Sequence, residues 1–266
     1  MRKLLTIILL GLTTKLFAIN PAREYRQTPE MFGIKHTEYK IKTRDNYDIN
    51  VWEYSLLDNI TSSKTMIVVG PDAGNMGFHI WQAKMLRDKG IRVIAFDYRG
   101  FGASSDFNIV KENLYHSEFA TDLDSVIKST RQKYPGEKIG LYALSMGTYV
   151  SLIRKEKIDF FVAEGFYNDP KLLKERIKTI KGKTVTLPFN STIVKKLNPS
   201  VPILIFCASE DKTTVTADAE NFKKKNKVTI VKFQGDHLMG ISVLKKDSPG
   251  DKYAETILDF LNKNGL

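Results

Sequence analysis

The chain of 266 residues has one cysteine, Cys207, along with four histidines and two tryptophans. A single cysteine permits neither an intrachain disulfide nor a cysteine-rich zinc site. Its place in the apolar run from Ile203 to Ala208 marks it as a small core residue. Acidic side chains are also scarce: 30 stand against 41 basic ones, a formal charge of +11. Apart from a marginal stretch at the start, no apolar run reaches the roughly 18 residues of a spanning helix. Internal repeats and low-complexity tracts are missing. What remains is ordinary for a globular protein, with 42% hydrophobic and 27% charged residues, which excludes a disordered or collagen-like chain. The length is enough to bury a substantial core.

Residues 1–20 read MRKLLTIILLGLTTKLFAIN. Arg2 and Lys3 precede an apolar stretch, Leu4 to Leu12, and Ala18 offers a small residue for cleavage. This order is that of a secretory signal, so residues 1–18 are set aside as a signal peptide or, if uncut, an N-terminal membrane anchor. Export places the chain in the periplasm or outside the cell. No cysteine follows the stretch, which excludes lipid attachment at such a site.

The body, 19–266, alternates strands with helices. Residues 34–56 predict two antiparallel strands around Arg44-Asp45-Asn46. Short apolar runs at 66–69, 91–96, 139–143, 160–163, 201–207 and 228–233 predict buried strands. Helical spacing is found over 76–89, 117–134, 146–156, 217–225 and 253–261. In the first of these helices Phe78, Ile80, Trp81, Met85 and Leu86 fall on or near one face. Apolar strands separated by amphipathic helices imply an α/β fold, a mostly parallel central sheet with helices on both faces. One interruption, at about 169–198, holds eight basic residues from Lys171 to Lys196, and Glu175 is the single acid within that stretch. Composition alone leaves it either a solvated helix or a cap. Its position, where ligands enter an open α/β sheet, favours a small inserted cap.

The segment LYALSMGTYV, Leu141 to Val150, carries the chemistry. An apolar strand runs into Ser145 and a helix leaves it. A nucleophile on so tight a turn needs small neighbours, and Ala143 and Gly147 supply them. The N–H of Met146 and the helix dipole would face a developing oxyanion. Four further stretches accompany this one: GPDAGNMG (70–77), FDYRGFGASS (96–105), PILIFCASED (202–211) and FQGDHLMG (233–240). Together they resemble the α/β-hydrolase superfamily over roughly residues 35–263, with closest similarity to its small-cap serine hydrolases, the depalmitoylase-like and serine aminopeptidase-like branch.

The resemblance implies that Ser145 is the nucleophile, Asp211 the acid and His237 the base, in the chain order this fold uses. Serine needs a base to take its proton, and a carboxylate holds the histidine tautomer. Glu210 rivals Asp211 as the acid, and Asp236 reads as a turn residue. His36, His79 and His116 read as surface or capping residues, and Arg99 as a surface arginine bracing a tight turn. The same resemblance implies that the backbone N–H of Asp72 pairs with that of Met146 as the oxyanion hole. Here the sequence departs from the family, with Gly70-Pro71 where His-Gly is usual. One residue earlier the donor would be Pro71, which has no N–H, and a carboxylate at Asp72 opposes an oxyanion.

These residues imply an exported serine hydrolase that cleaves an acyl ester or thioester of a small or lipid-like substrate. The alternative is a weakened or inactive binding protein on the same fold. Neither cofactor nor metal is called for. Basic charge suits an anionic membrane surface, whereas nucleic acid is not expected, because no recognition motif is present.

Overall fold

The computed structural model describes residues 18–58, 60–188 and 192–266. The expected signal or anchor therefore lies outside the described residues, except for Ala18, which is buried.

The described chain begins with a two-residue strand, β1 (Asn20–Pro21). The expected antiparallel pair follows as β2 (His36–Lys42) and β3 (Asp48–Tyr54), joined through Asn46 at φ 71°. Next come β4 (Lys64–Val69), β5 (Ala73–Gly74), α1 (Ile80–Arg87), β6 (Arg92–Phe96) and α2 (His116–Lys133). The second half contains β7 (Lys138–Leu144), α3 (Met146–Ile153), β8 (Phe160–Glu164), α4 (Pro170–Lys181) and β9 (Ile203–Ala208). It ends with α5 (Thr216–Lys223), β10 (Val228–Phe233), α6 (Gly240–Val243) and α7 (Asp251–Lys263).

Eight strands form one sheet in the order β10-β9-β8-β7-β4-β6-β3-β2. Only β3 pairs antiparallel with its neighbours; the other contacts are parallel. Strand residues alternate between two apolar layers, as period-two geometry demands. Ile67, Val69, Leu141, Ala143, Phe161 and Ala163 share one layer with α2, α3 and α5. Met66, Val68, Tyr142, Leu144, Phe160 and Val162 share the other with α1 and α7. Both faces are covered, which is why the strands read as unbroken apolar runs.

Strand order reverses at β4, which lies between β6 and β7. The carboxyl ends of β4 and β7 thus flank a crevice of the kind where open α/β sheets bind ligands. Ser145 follows β7 there.

Several local readings need correction. The helix expected over 76–89 is split into a 3-10 turn at Met76–His79 and the shorter α1. Asp97 draws the Met76 amide and the Asn75 side chain caps Gly77, tightening the first turn. The inner face is Ile80, Ala83 and Leu86, while Phe78 and Trp81 are exposed. In α4, Leu173 is buried and Leu172 and Ile180 are exposed. Arg176 pins this helix to the core through Asp218 (2.5 and 2.8 Å) and the Thr213 carbonyl (3.2 Å). Arg99 is buried, not superficial. Its guanidinium is taken up by Asp122 and Asp45 and lies over the Tyr47 ring, so it holds the turn.

Candidate active site

Ser145 sits between β7 and α3 at φ 49°, a left-handed conformation that L-residues seldom adopt. Such strain persists only where the surroundings enforce it. The Ser145 amide donates to the Glu164 carbonyl at 2.9 Å, and its own carbonyl accepts from the Thr148 amide (2.8 Å) and hydroxyl (2.7 Å). Gly147 explains the small residue after the serine. A Cβ there would stand 2.3 Å from the Val69 carbonyl oxygen, so any side chain would force α3 away from β4.

The loops after β9 and β10 bring in the other two residues. His237 Nε2 is 3.0 Å from Ser145 Oγ, and its Nδ1 is 2.6 Å from Asp211 Oδ2. A carboxylate can only accept, so the Nδ1 contact requires a proton on that nitrogen. Nε2 then carries the lone pair and accepts from the serine hydroxyl. Residues 145, 211 and 237, far apart in sequence, are thus joined in one hydrogen-bonded line.

Asp211 is buried, and burial alone would raise its carboxyl. The hydrogen bond and charge of His237, with the Thr214 hydroxyl and amide, outweigh that and hold it at about 2. The amides of Thr213 (2.8 Å) and Thr214 (2.9 Å) donate to Oδ1, while the Thr214 hydroxyl bonds Oδ2 and lies 3.3 Å from His237 Nδ1. Glu210 is exposed, which excludes it as the partner of His237. Asp236 is exposed and accepts from the His237 amide at 2.7 Å, the turn role expected of it.

Two of the other histidines depart from expectation. His79 and His116 are buried, and burial pushes them down to about 4 and about 3. His116 contacts the Tyr167 hydroxyl at 2.9 Å. His36 faces Glu30 at 3.1 Å. Cys207 is a core residue, its thiol pushed up to about 12 by burial.

Asp72 lies in the loop between β4 and β5, and Met146 opens α3. Desolvation raises the Asp72 carboxyl, against the pull of its own amide and of the charges on His237, Lys183 and Lys181. That carboxyl is therefore in the electrostatic field of the imidazole and of Lys181 and Lys183.

Sequence reasoning missed two supports. The first is the N-terminal segment: β1 pairs with β5, and Asn75 Nδ2 donates to the carbonyls of Ala22 (3.2 Å) and Glu24 (2.8 Å). Tyr25 bonds Asp97, whose other oxygen accepts from Met76 N at 2.7 Å. Residues 18–25 thereby brace the loop that carries Asp72. The second is Gly165, at φ 68°, where a Cβ would lie 2.8 Å from His237 Cε1. Its signal was a glycine directly after a buried strand.

Comparison with known proteins agrees with this geometry. Residues 75–157, which include Ser145, match the serine aminopeptidase family S33. An uncharacterized membrane protein of Saccharomyces cerevisiae is 30% identical over 129 residues, spanning 47% of this chain and 42% of that protein, less than half the length of either. The Pyrococcus furiosus esterase Pf2001 superposes with a TM-score of 0.70 at 20% identity, covering 92% of this chain and 97% of the esterase. A Xanthomonas campestris α/β serine hydrolase without a lid gives 0.64 at 15% identity, covering 86% and 94%. Over most of its length the chain has the fold of these α/β hydrolases, and over residues 75–157 its sequence matches the S33 family.

Proposed function

We propose that the protein is a serine hydrolase that cleaves acyl esters or thioesters through an acyl-enzyme. The observation that carries this reading is the double contact of His237, 3.0 Å to Ser145 and 2.6 Å to Asp211. Nε2 takes the hydroxyl proton as Ser145 Oγ attacks the acyl carbonyl. Asp211 keeps the reactive tautomer and stabilises the imidazolium. The amides of Met146 and Asp72 receive the oxyanion, and α3 directs its positive end to the same point. Nε2–H then protonates the leaving group, and a water activated by the same nitrogen releases the acid. The esterase among the structural neighbours supports an ester-type substrate.

A fluorophosphonate probe tests this. Wild-type chain labels and Ser145→Ala does not; equal labelling of the two abolishes the assignment.

The second reading, a binding protein of weakened activity, draws on Asp72. A carboxyl beside the oxyanion site opposes the charge that develops there. Failure of the wild type to turn over nitrophenyl esters of every chain length, while still binding acyl ligands, would establish it.

We place the protein outside the cytoplasm, at an anionic membrane surface, on the strength of its basic-then-apolar start and the lysines bordering the site. The charges of Lys181 and Lys183 both act on Asp72, which supports that reading. Vesicle binding indifferent to salt and to anionic lipid would remove that proposal. Among the described residues no helix is long and apolar enough to cross a membrane.

A further inference from the structure

Glu164 ends β8 and is 2% exposed, yet the mechanism above gives its side chain no part. Its backbone carbonyl accepts from the Ser145 amide at 2.9 Å. Its carboxyl reaches the opposite partner: Oε1 accepts from the Gly240 amide at 2.7 Å, three residues beyond His237. Oε2 accepts from the Tyr253 hydroxyl at 2.9 Å. Tyr142 donates to Tyr253 at 3.2 Å, which leaves the Tyr253 proton for the carboxyl. The space is closed as well, since a Cβ on Gly240 would stand 2.8 and 2.9 Å from the two carboxyl oxygens. Gly165, next in the chain, lies against the imidazole edge.

The geometry points to Glu164 as a positioning residue that joins the serine turn to the histidine loop and adds a second negative charge to the field of His237. This inference rests on the hydrolase reading above for its kinetic consequence, but not for its electrostatic one.

Both oxygens receive hydrogens from donors, an arrangement that suits an ionised carboxylate. Burial raises this carboxyl, while the Gly240 amide, the Tyr253 hydroxyl and the charge of His237 lower it and Asp211 raises it. The groups facing Glu164 are thus Tyr142 on β7, Tyr253 on α7, and His237 and Asp211 on their loops. Those facing the imidazole are Asp211, Glu164 and Asp72. A second carboxylate stabilises imidazolium, so its loss lowers the histidine pKa.

The test is a histidine NMR titration of the full chain with Glu164→Gln and Glu164→Asp, set beside the pH dependence of fluorophosphonate labelling. His79 and His116 are held low by burial. The remaining resonances, of His36 and His237, are assigned by their loss in His36→Gln and His237→Gln. Glu164→Gln is expected to lower the His237 pKa by roughly half a unit to one unit, and the acid limb of labelling should move with it. Glu164→Asp keeps the charge but is too short for the Gly240 bond, so it should retain the wild-type titration and label several-fold more slowly. An unshifted His237 in folded Glu164→Gln overturns the inference. So does a labelling loss by one constant factor at every pH. If Glu164→Gln does not fold, Glu164→Asp decides alone: a displaced titration or an unchanged labelling rate overturns the inference. A wild type that never labels defeats the hydrolase reading only, since the titration still reports on Glu164.

Discussion

Asp211 Oδ2 lies 2.6 Å from His237 Nδ1, and its other oxygen collects two backbone amides from Thr213 and Thr214. Three of the hydrogen bonds that Asp211 accepts come from its own loop and one from the imidazole, so the loop fixes the carboxylate that orients His237.

Asp211→Asn keeps the shape but offers the imidazole the wrong tautomer. Its kcat on a nitrophenyl ester is expected to fall roughly 10³–10⁴-fold near neutral pH. A loss below tenfold would show that another group orients His237.

The depressed Asp211 carboxyl also bears on stability. An acid at about 2 in the folded chain, against 3.8 for the free side chain, stabilises the fold above the unfolded value. That contribution, of order 2 kcal/mol, disappears as pH falls from about 4 through about 2. Urea midpoints of the wild type should therefore drop across this window more than those of Asp211→Asn. Parallel curves would contradict the linkage.

Gly165→Ala places a methyl group against His237 Cε1 at a backbone φ of 68°. Displacing a base by a fraction of an ångström costs roughly tenfold to a hundredfold in rate, whereas strain at one residue costs about 1–3 kcal/mol. Ester turnover should fall sharply while the chain still melts cooperatively. Unchanged turnover would mean that the imbalance of space is relieved elsewhere.

Asp72→Asn removes a carboxyl from the field of His237 without changing its size. Because a negative charge there opposes the oxyanion, kcat should rise where that carboxyl is ionised, by roughly threefold to tenfold on the scale of one charge–charge interaction at intermediate dielectric. The gain should shrink at lower pH, because the raised Asp72 carboxyl is then neutralised in the wild type. A fall in kcat would assign Asp72 a positive part in the reaction.

Tyr25→Phe removes the hydroxyl that bonds Asp97 and also meets Asn50 Nδ2 (2.9 Å) and the Ala103 amide (3.0 Å). Burial already pushes Asp97 up to about 6, and the Tyr25 bond restrains it. Leaving these partners unsatisfied costs about 1–3 kcal/mol, read as a lower denaturation midpoint. The loop bearing Asp72 should loosen with it, lowering kcat more than it changes KM. Unaltered stability would show that the N-terminal segment does not brace the loop.

Much of this molecule was legible before any coordinates. The runs at 66–69, 91–96 and 139–143 announced buried strands because a parallel sheet covered on both faces has no polar side to alternate with. Ser145 was legible because its small neighbours and its strand-to-helix setting are local. Phe78 and Trp81 misled, since helical spacing does not say which face meets the sheet when the first turn tightens to a 3-10 turn. His79 and His116 misled as well, because a lone histidine carries no mark of burial.

The sequence by itself determined the alternation of strands and helices, the strand-to-helix turn at Ser145 and the identity of the acid–base candidates. These depend on periodicity and on side-chain type over a few neighbouring residues. The tertiary structure decided the choice of Asp211 over Glu210, the closure of Glu164 onto Gly240, the bracing of residues 73–76 by residues 20–25, and the burial of Arg99. Each of these is a contact between segments distant along the chain, set by strand order and loop path, and no local pattern encodes it.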